Sequence, residues 1–244
     1  MLKDHKILTI AGRELMCLFY SPIAYIVLAL FSLGLTLIFF QYTLYLGGPA
    51  DMRFTFGWVI WLLMSLSPAI SMRLISEELS SGTIELLMTA PISDAQVVLG
   101  KWIGAFIFLV TIILIPLSVL AGVLEYASDP HWGPILMGTL GIVLVAGLFL
   151  AIGLFASAIS KNQIIAWVFT LFLICIFSIA IEQLATADFL NAKVAMGLSY
   201  LNVNRHFLPF TKGILNSASL VYFITGTFLF LFFATLTLQS KRWR

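Results

Sequence analysis

The chain has 244 residues, of which 61% are hydrophobic and only 10% are charged, and its formal net charge is +2. Because an ordinary soluble domain carries about 25% charged residues, this composition excludes a water-soluble globule. A mean hydropathy of +1.07 and several apolar runs of helix-spanning length instead predict an all-α membrane protein with several spans.

The distribution of the basic residues and the positions of the two cysteines argue against a nucleic-acid partner, a disulfide and a metal site. The few basic residues are scattered along the chain, which argues against a nucleic-acid partner. Cys17 precedes the first apolar run and Cys175 lies within a later one, so neither a disulfide between them nor a metal site is expected. Each is predicted to be a small buried residue.

The first 21 residues predict an amphipathic helix. Ile7, Ala11, Leu15 and Leu18 recur at helical spacing, and a helix of this kind can lie in the membrane interface. The helix should end or kink at Ser21-Pro22, because a proline disfavours helical backbone at the residue before it.

Six spans follow, and the whole chain 1–244 is predicted to form one membrane domain. The predicted bounds are about 23–40, 56–74, 98–124, 135–159, 164–181 and 220–238. Pro68 and Pro116 should kink two of these helices or free carbonyl groups within them. The fourth span is rich in glycine and alanine, which gives it thin surfaces for packing. Residues 182–219 are predicted to be an extracytoplasmic segment with short amphipathic helices.

The basic residues predict the orientation of the chain. With six spans and a cytoplasmic N-terminus, nine basic residues lie inside and four outside, in agreement with the positive-inside rule. The nine are Lys3, Lys6, Arg13, Arg73, Lys101, Lys161, Lys241, Arg242 and Arg244, and the four are Arg53, Lys193, Arg205 and Lys212. The polar stretch between the second and third spans is therefore predicted to be cytoplasmic.

That polar stretch, residues 75–101, holds four of the eleven acids. Gly82 should break the helix that carries Glu77 and Glu78, and Thr83 can cap a new helix with Glu85 in its first turn. Pro91 should end this short apolar helix, and Ser93 or Asp94 should cap the next one. The pattern fits two structures equally well: a polar loop with one turn on the lipid surface, or a knob that docks into a soluble partner.

Motifs for catalysis or ion coupling are absent from the sequence. The only Gly-Lys pair, Gly100-Lys101, has Ala95 where a P-loop needs glycine and Trp102 where it needs serine or threonine, so the chain is not predicted to be an ATPase. His5, His131 and His206 fall in different segments and are predicted to be surface residues without a ligand role. No acid lies well inside a span, which disfavours an ion-coupled carrier.

The polar stretch resembles the type-2 ABC exporter permeases, which are six-span subunits that pair with separate ATP-binding cassette proteins. The resemblance lies in Ser76-Glu77-Glu78, in 81–87, in Ala90-Pro91-Ile92-Ser93 and in 98–101. Arg13-Glu14-Leu15 and 20–25 resemble the N-terminal interface helix of that family. Within the family, 199–201, 206–207, 212–215 and 241–243 are most similar to the gliding-motility-associated permease subunits.

The resemblance implies a coupling helix and a set of partners. It implies ATPase coupling by Glu77, Glu78, Ser81, Gly82, Thr83, Ile84, Glu85, Leu86, Leu87, Pro91 and Ser93, and an interface helix with Lys6, Arg13 and Glu14. The implied partners are a cytoplasmic ABC ATPase dimer that carries ATP and Mg²⁺, a second permease chain, identical or different, and an auxiliary membrane protein with an extracytoplasmic domain. No cofactor is expected on this chain.

The expected function is ATP-driven export across the bacterial inner membrane, with both termini in the cytoplasm. A mechanotransmission complex, which moves an extracytoplasmic partner instead of carrying a solute, is the alternative. A channel or carrier that works alone is a third possibility, and it would show flux without an ATPase. The sequence identifies no substrate.

Overall fold

The structure is a computed structural model that describes residues 2–44, 51–82, 92–127, 129–186 and 191–242. In these ranges all regular secondary structure is helical, and no strand is present. The all-α prediction is therefore confirmed. Residues 83–91, the centre of the predicted coupling stretch, lie outside the described residues.

The described residues form a succession of α-helices. They are α1 (Leu2–Tyr20), α2 (Pro22–Tyr42), α3 (Arg53–Ser71), α4 (Ser76–Ser81), α5 (Asp94–Ala127), α6 (Trp132–Ile159), α7 (Gln163–Cys175), α8 (Ile181–Ala185), α9 (Ala192–Ser199), α10 (Val203–Thr211) and α11 (Ser217–Arg242). A π-helix, Ile176–Ala180, joins α7 to α8. By length and apolar composition, six stretches could cross a membrane: Ala24–Tyr42, Arg53–Ser81, Asp94–Ala127, Trp132–Ile159, Gln163–Ala185 and Ser217–Lys241. The predicted number of spans is confirmed.

The fourth span, α6, lies at the centre of the bundle and packs against α3, α5, α7, α10 and α11. Three of its glycines leave room for a residue of another element: Gly138 faces Phe56, Gly141 faces Phe210 and Gly153 faces Ser71. Helices in lipid associate mainly through close packing, because lipid tails are as apolar as leucine. The small residues that the sequence predicts for packing in this span therefore allow other helices to approach it closely on several sides.

Helix α1 packs lengthwise along the first turns of α5. Its predicted apolar stripe faces protein, since Ala11 is buried and Leu15 and Leu18 pack against the core. Among the residues of α1 whose burial is described, the large apolar side chains left exposed are Leu8, Met16 and Tyr20. The helix ends at Tyr20 and α2 begins at Pro22, as the sequence predicts. Its position in the membrane interface stays a prediction.

Helix α3 stops at Ser71 and a turn follows over 72–75, inside the predicted second span 56–74. Local sequence does not show this end, because Met72, Leu74 and Ile75 prolong the apolar run. The cause is a distant residue: the hydroxyl of Ser157 on α6 accepts hydrogen bonds from the backbone N–H groups of Ile75 and Ser76, at 3.1 and 2.9 Å. The same hydroxyl donates to the Met72 carbonyl at 3.1 Å.

Short helices in 182–219 are confirmed, and they pack onto the bundle. The side chains of Asn202 and Asn204 both donate to the carbonyl oxygen of Ser178, in the π-helix that interrupts the fifth span. The insertion of one residue in a π-turn releases a backbone carbonyl from its usual partner, and such turns are frequent at functional sites. The two asparagines thus tie α10 to the fifth span.

Two expectations about single residues are wrong. His206 is buried rather than on the surface: its Nε2 lies 2.9 Å from the Tyr200 carbonyl oxygen, its Nδ1 lies 3.3 Å from the Ser219 hydroxyl, and its ring stacks on Tyr222. Cys17 is exposed rather than buried. Both errors arise because burial depends on the packing of distant elements.

Candidate functional site

Four charged residues meet where three elements converge, and we call Arg13, Glu14, Glu78 and Lys101 the charged cluster. The ammonium group of Lys101 on α5 lies 2.9 Å from Oε1 of Glu78 on α4 and 3.2 Å from Oε2 of Glu14 on α1. A guanidinium nitrogen of Arg13 lies 3.4 Å from the same Glu78 oxygen. The two bases and two acids balance, so the cluster carries no net charge.

Burial makes this cluster different from a surface ion pair. Only 2% of the Lys101 side chain is exposed, against 14% for Glu14 and 17% for Glu78. Removing one partner of such a pair leaves an uncompensated charge in a poorly solvated site, which is strongly destabilising. The pair between Arg73 and Glu77 contrasts with it, because its atoms are 3.7 Å apart and both side chains are substantially exposed.

Helix α4 is held on its other side by the Ser157 hydroxyl of α6 described above. Its first turn carries Glu77 and Glu78, which suits the positive end of a helix dipole. Gly82 ends the helix in the left-handed conformation, with φ at +74°, which glycine adopts without strain. Helix α4 is thus fixed to α1, α5 and α6, and residue 82 is where the chain leaves it.

Helix α1 can approach α5 closely because of two glycines on α5. A Cβ atom at Gly100 would lie 2.8 Å from the Cβ of Ile10, and one at Gly104 would lie 2.7 Å from the backbone oxygen of Ala11. One turn further along α5, the rings of Phe108 and Phe19 meet edge to face at 5.0 Å. The spacing of Gly100 and Gly104 is weak evidence in a sequence, but here both positions are occupied by the neighbouring helix.

Comparison with protein families adds to this geometry. Residues 54–239 match the family model described as ABC-2 family transporter protein. The chain belongs to the ABC-2 transporter family. The matched range begins in α3 and ends in α11, so it includes α4, the predicted coupling stretch and Lys101. A search of the curated proteins found no match to the chain.

Family membership makes the chain a membrane permease subunit of an ABC transporter, embedded by several spans. It also implies partnership with a cytoplasmic ABC ATPase. The gliding-motility-associated subgroup stays a prediction, since the match is to the broader family.

The predicted coupling residues of the permease fall into two groups. Glu77, Glu78, Ser81, Gly82 and Ser93 are described, and they flank a central group, Thr83, Ile84, Glu85, Leu86, Leu87 and Pro91, that lies outside the described residues. Ser81 donates to the Glu77 carbonyl at 2.8 Å. Their roles in coupling are untested and stay predictions.

Ser93 starts the helix that returns to the membrane. Its hydroxyl accepts from the backbone N–H of Gln96 at 3.4 Å, and the Gln96 side chain accepts from the backbone N–H of Ser93 at 3.1 Å. This reciprocal arrangement is a capping box, which satisfies two backbone donors at a helix start. The choice between Ser93 and Asp94 as the cap is thereby resolved in favour of Ser93.

The predicted interface-helix residues have different surroundings. Arg13 and Glu14 belong to the charged cluster, whereas Lys6 lies one to two turns earlier on α1 and is partly exposed. The sequence predicts a cytoplasmic side for Lys101 and includes it in the resemblance over 98–101, but it does not predict the ion pairs of Lys101. The signal that sequence reasoning missed is the setting of Lys101, a lone base between Val97-Val98 and Trp102-Ile103.

The described ranges of the permease contain no cluster of side chains that could hold a metal ion. No group of three or more His, Cys, Asp or Glu side chains comes together there. What the charged cluster can do is mechanical: it joins α1, α4 and α5 by ion pairs that are costly to break. A force applied next to α4 would therefore act on all three helices.

Proposed function

We propose that this permease couples ATP hydrolysis on a separate cytoplasmic ATPase dimer to the export of a substrate across the bacterial inner membrane. In this proposal the ATPase holds ATP and Mg²⁺ and binds the stretch 83–93 of each of two permease chains. Closure of the ATPase dimer moves that stretch, and the movement changes access to a pathway between the spans. Binding energy can shift such an equilibrium only through contacts that differ between the two states.

The charged cluster is the observation that carries this proposal. The predicted coupling stretch begins where α4 ends, and α4 is joined to α5 through Lys101 and to α1 through Arg13. Ser93 closes the stretch at its other end as the cap of α5. Both ends of the stretch therefore continue into elements that the cluster holds together, which suits a lever that moves spans as rigid bodies.

The arrangement of basic residues supports a cytoplasmic location for this end of the bundle. Lys101, Arg73 and Arg13 surround α4, and the ammonium group of Lys241 on α11 donates to the carbonyl oxygens of Ala158 and Ile159 at 2.8 and 3.1 Å. A lysine at the C-terminus of a helix is stabilised by the helix dipole. One end of the bundle thus gathers basic residues from α1, α5, α11 and the turn after α3, as the positive-inside rule expects of a cytoplasmic face.

The test is ATPase stimulation, the rate of ATP hydrolysis by the reconstituted complex divided by that of the ATPase alone. Glu85→Lys and Leu87→Asp should each reduce this ratio to about one, because they reverse a charge or remove an apolar contact in the coupling stretch. The matched control Asp129→Lys makes the same exchange of acid for base on the other side of the membrane and should keep the wild-type ratio. Normal stimulation in either well-folded variant of the coupling stretch would count decisively against the proposal.

A transport assay separates export from mechanotransmission, which shares the coupling step. Vesicles that contain the permease and its ATPase should move substrate only with ATP if the complex is an exporter. Full ATPase stimulation that depends on an extracytoplasmic partner, with no flux of any lipid or solute, would instead support mechanotransmission. Flux without ATPase would assign the permease to the third class, a channel or a carrier that works alone.

A further inference from the structure

A groove of about 460 Å³ opens between the start of α3 and helix α10. It lies at the end of the bundle opposite the charged cluster, because α3 runs from Arg53 at the groove to Ser71 near α4. At about 1.5 Å per residue, the 19 residues of α3 separate the two sites by roughly 28 Å. The groove is therefore remote from the charged cluster.

The walls of the groove are rich in aromatic side chains, and several of the lining side chains are exposed. Phe54 and Trp61 of α3 are 65% and 52% exposed, and Leu208 of α10, on the opposite wall, is 56% exposed. Trp58 also lines the groove and stacks on Tyr42 of α2. Tryptophan side chains exposed near the end of a span are typical of the level where lipid headgroups meet acyl chains.

The charge of the groove is entirely positive. Among the described residues of its lining, Arg53 and Lys212 are the two that carry charge, and none is an acid. Arg53 is paired with Asp51, its Nε lying 2.9 Å from Oδ2. The ammonium group of Lys212 forms no ion pair within the described ranges, and its side chain is exposed. An uncompensated cation thus stands beside an apolar, aromatic surface.

The depth of the groove depends on Gly57 of α3. A Cβ atom at this position would have no atom of another residue within 4 Å, so it would project into open space. Gly57 lies between Phe54 and Trp61 on the wall of the groove. A side chain here would fill the groove without displacing any part of the protein.

We propose that this groove binds one anionic phospholipid of the surrounding bilayer. The phosphate pairs with Lys212, and an acyl chain lies along Trp58, Trp61 and Leu208. The groove matches such a lipid in both charge and polarity, because Lys212 is the one unpaired ion among its described lining residues and the rest of that surface is predominantly apolar. This inference goes beyond the proposed function, since it requires neither the ATPase nor the coupling stretch.

Native mass spectrometry of the full chain in detergent tests this proposal. The protein is titrated with phosphatidylglycerol and with phosphatidylcholine of the same acyl chains, and phosphatidylglycerol should bind more tightly. Lys212→Gln should weaken phosphatidylglycerol binding about five-fold, as expected for one basic residue at an anionic lipid surface, and should weaken phosphatidylcholine binding less, because the choline ammonium group already offsets the charge of the phosphate. Lys193→Gln is the matched control, because it removes the same charge from the same end of the bundle outside the groove. Equal binding of the two lipids, or an equal loss in the control, would overturn the proposal.

A second pair of variants tests the groove by filling it. Gly57→Leu should reduce the binding of both lipids, whereas Gly122→Leu, which also adds a side chain to open space but on α5, should not. Both exchanges favour the helix, since leucine is a better helix former than glycine. Unchanged lipid binding by folded Gly57→Leu would refute the assignment.

Two further outcomes would identify a different occupant and so reject the lipid. Complete displacement of phosphatidylglycerol by millimolar inorganic phosphate would show a site for a free anion. A change of Lys212→Gln or Gly57→Leu from a dimer mass to a monomer mass would show an interface between two copies of the chain. Persistence of the wild-type mass and of lipid binding in phosphate is the result that the proposal expects.

Discussion

Lys101 shows why a single buried charge can define a site. Taking an ammonium ion out of water costs several kcal/mol even after relaxation of the protein, so a lysine with 2% exposure must be compensated. Glu14 and Glu78 provide that compensation from two other helices. The second carboxylate oxygen of Glu78 is buried and makes no hydrogen bond in the described ranges. The carboxylate therefore depends on Lys101 and Arg13 for its stabilisation.

We expect Lys101→Met to lower the free energy of unfolding by about 3 kcal/mol, because it leaves Glu14 without a cation and Glu78 with Arg13 alone in a poorly solvated site. The measurement is thermal melting of the detergent-solubilised permease, followed by gel filtration. Arg73→Gln is the control, and it should change stability by less than about 0.5 kcal/mol because its ion pair is exposed. Adding Glu78→Gln to Lys101→Met should restore part of the loss. Melting of Lys101→Met at the wild-type temperature would show that the cluster contributes no stability.

His206 gives the permease a pH dependence whose sign is fixed by burial. Burial lowers the pKa of His206, and the charge of Arg205 lowers it further, although the hydrogen bond to the Tyr200 carbonyl acts in the opposite direction. Its ordinary pKa is about 6.5. Since the unfolded chain then takes up the proton first as pH falls, the contribution of His206 is complete above about pH 6.5 and declines below it.

The corresponding prediction is a difference between melting curves at two pH values. The fall in melting temperature from about pH 7.5 to about pH 5.5 should be smaller in His206→Gln than in the wild type. His131→Gln, at an exposed position, should keep the wild-type fall. An unchanged pH dependence in His206→Gln would show that this histidine does not titrate with folding.

At the level of elements, α1 packs on α5, so part of its apolar stripe contacts protein. The stripe of Ala11, Leu15 and Leu18 was predictable as apolar, but the surface that covers it was not. Periodicity shows that a helix has an apolar face, and lipid and protein are equally good partners for such a face. Gly100 and Gly104 decide in favour of protein, because a larger side chain at either position would hold the two helices apart.

Gly104→Val should therefore separate α1 from α5. Its Cβ would meet the Ala11 backbone oxygen at 2.7 Å, and overpacking of this kind costs typically 1–3 kcal/mol. We expect a lower melting temperature together with a loss of ATPase stimulation, since the pair of Glu14 with Lys101 is stretched. Gly122→Val is the control, because a Cβ atom there would meet open space. If Gly104→Val matched the control in both measurements, close contact of α1 with α5 would be unnecessary for coupling.

At the level of the whole molecule, the sequence predicts features that depend on composition, such as the number of spans. It does not predict features that depend on contacts between distant residues. The six spans could be predicted because each is a long apolar run bounded by polar residues. The early end of α3 could not, since the hydroxyl that fixes the following turn belongs to Ser157, more than eighty residues away. Likewise, the sequence motif around Glu78 predicts the coupling stretch. The ion pair between Glu78 and Lys101 becomes evident only when the helices are packed together.

The orientation of the bundle follows from its charge distribution and can be tested directly. If the end that carries the charged cluster is cytoplasmic, the loop after α5 lies outside the cell and the turn between α6 and α7 lies inside. In a background without Cys17 and Cys175, Tyr126→Cys should react with a membrane-impermeant maleimide on intact cells, because Tyr126 is 98% exposed. Lys161→Cys, also at an exposed position, should react only after the membrane is permeabilised. The reverse pattern would place the charged cluster outside the cell, where a cytoplasmic ATPase could not reach the coupling stretch.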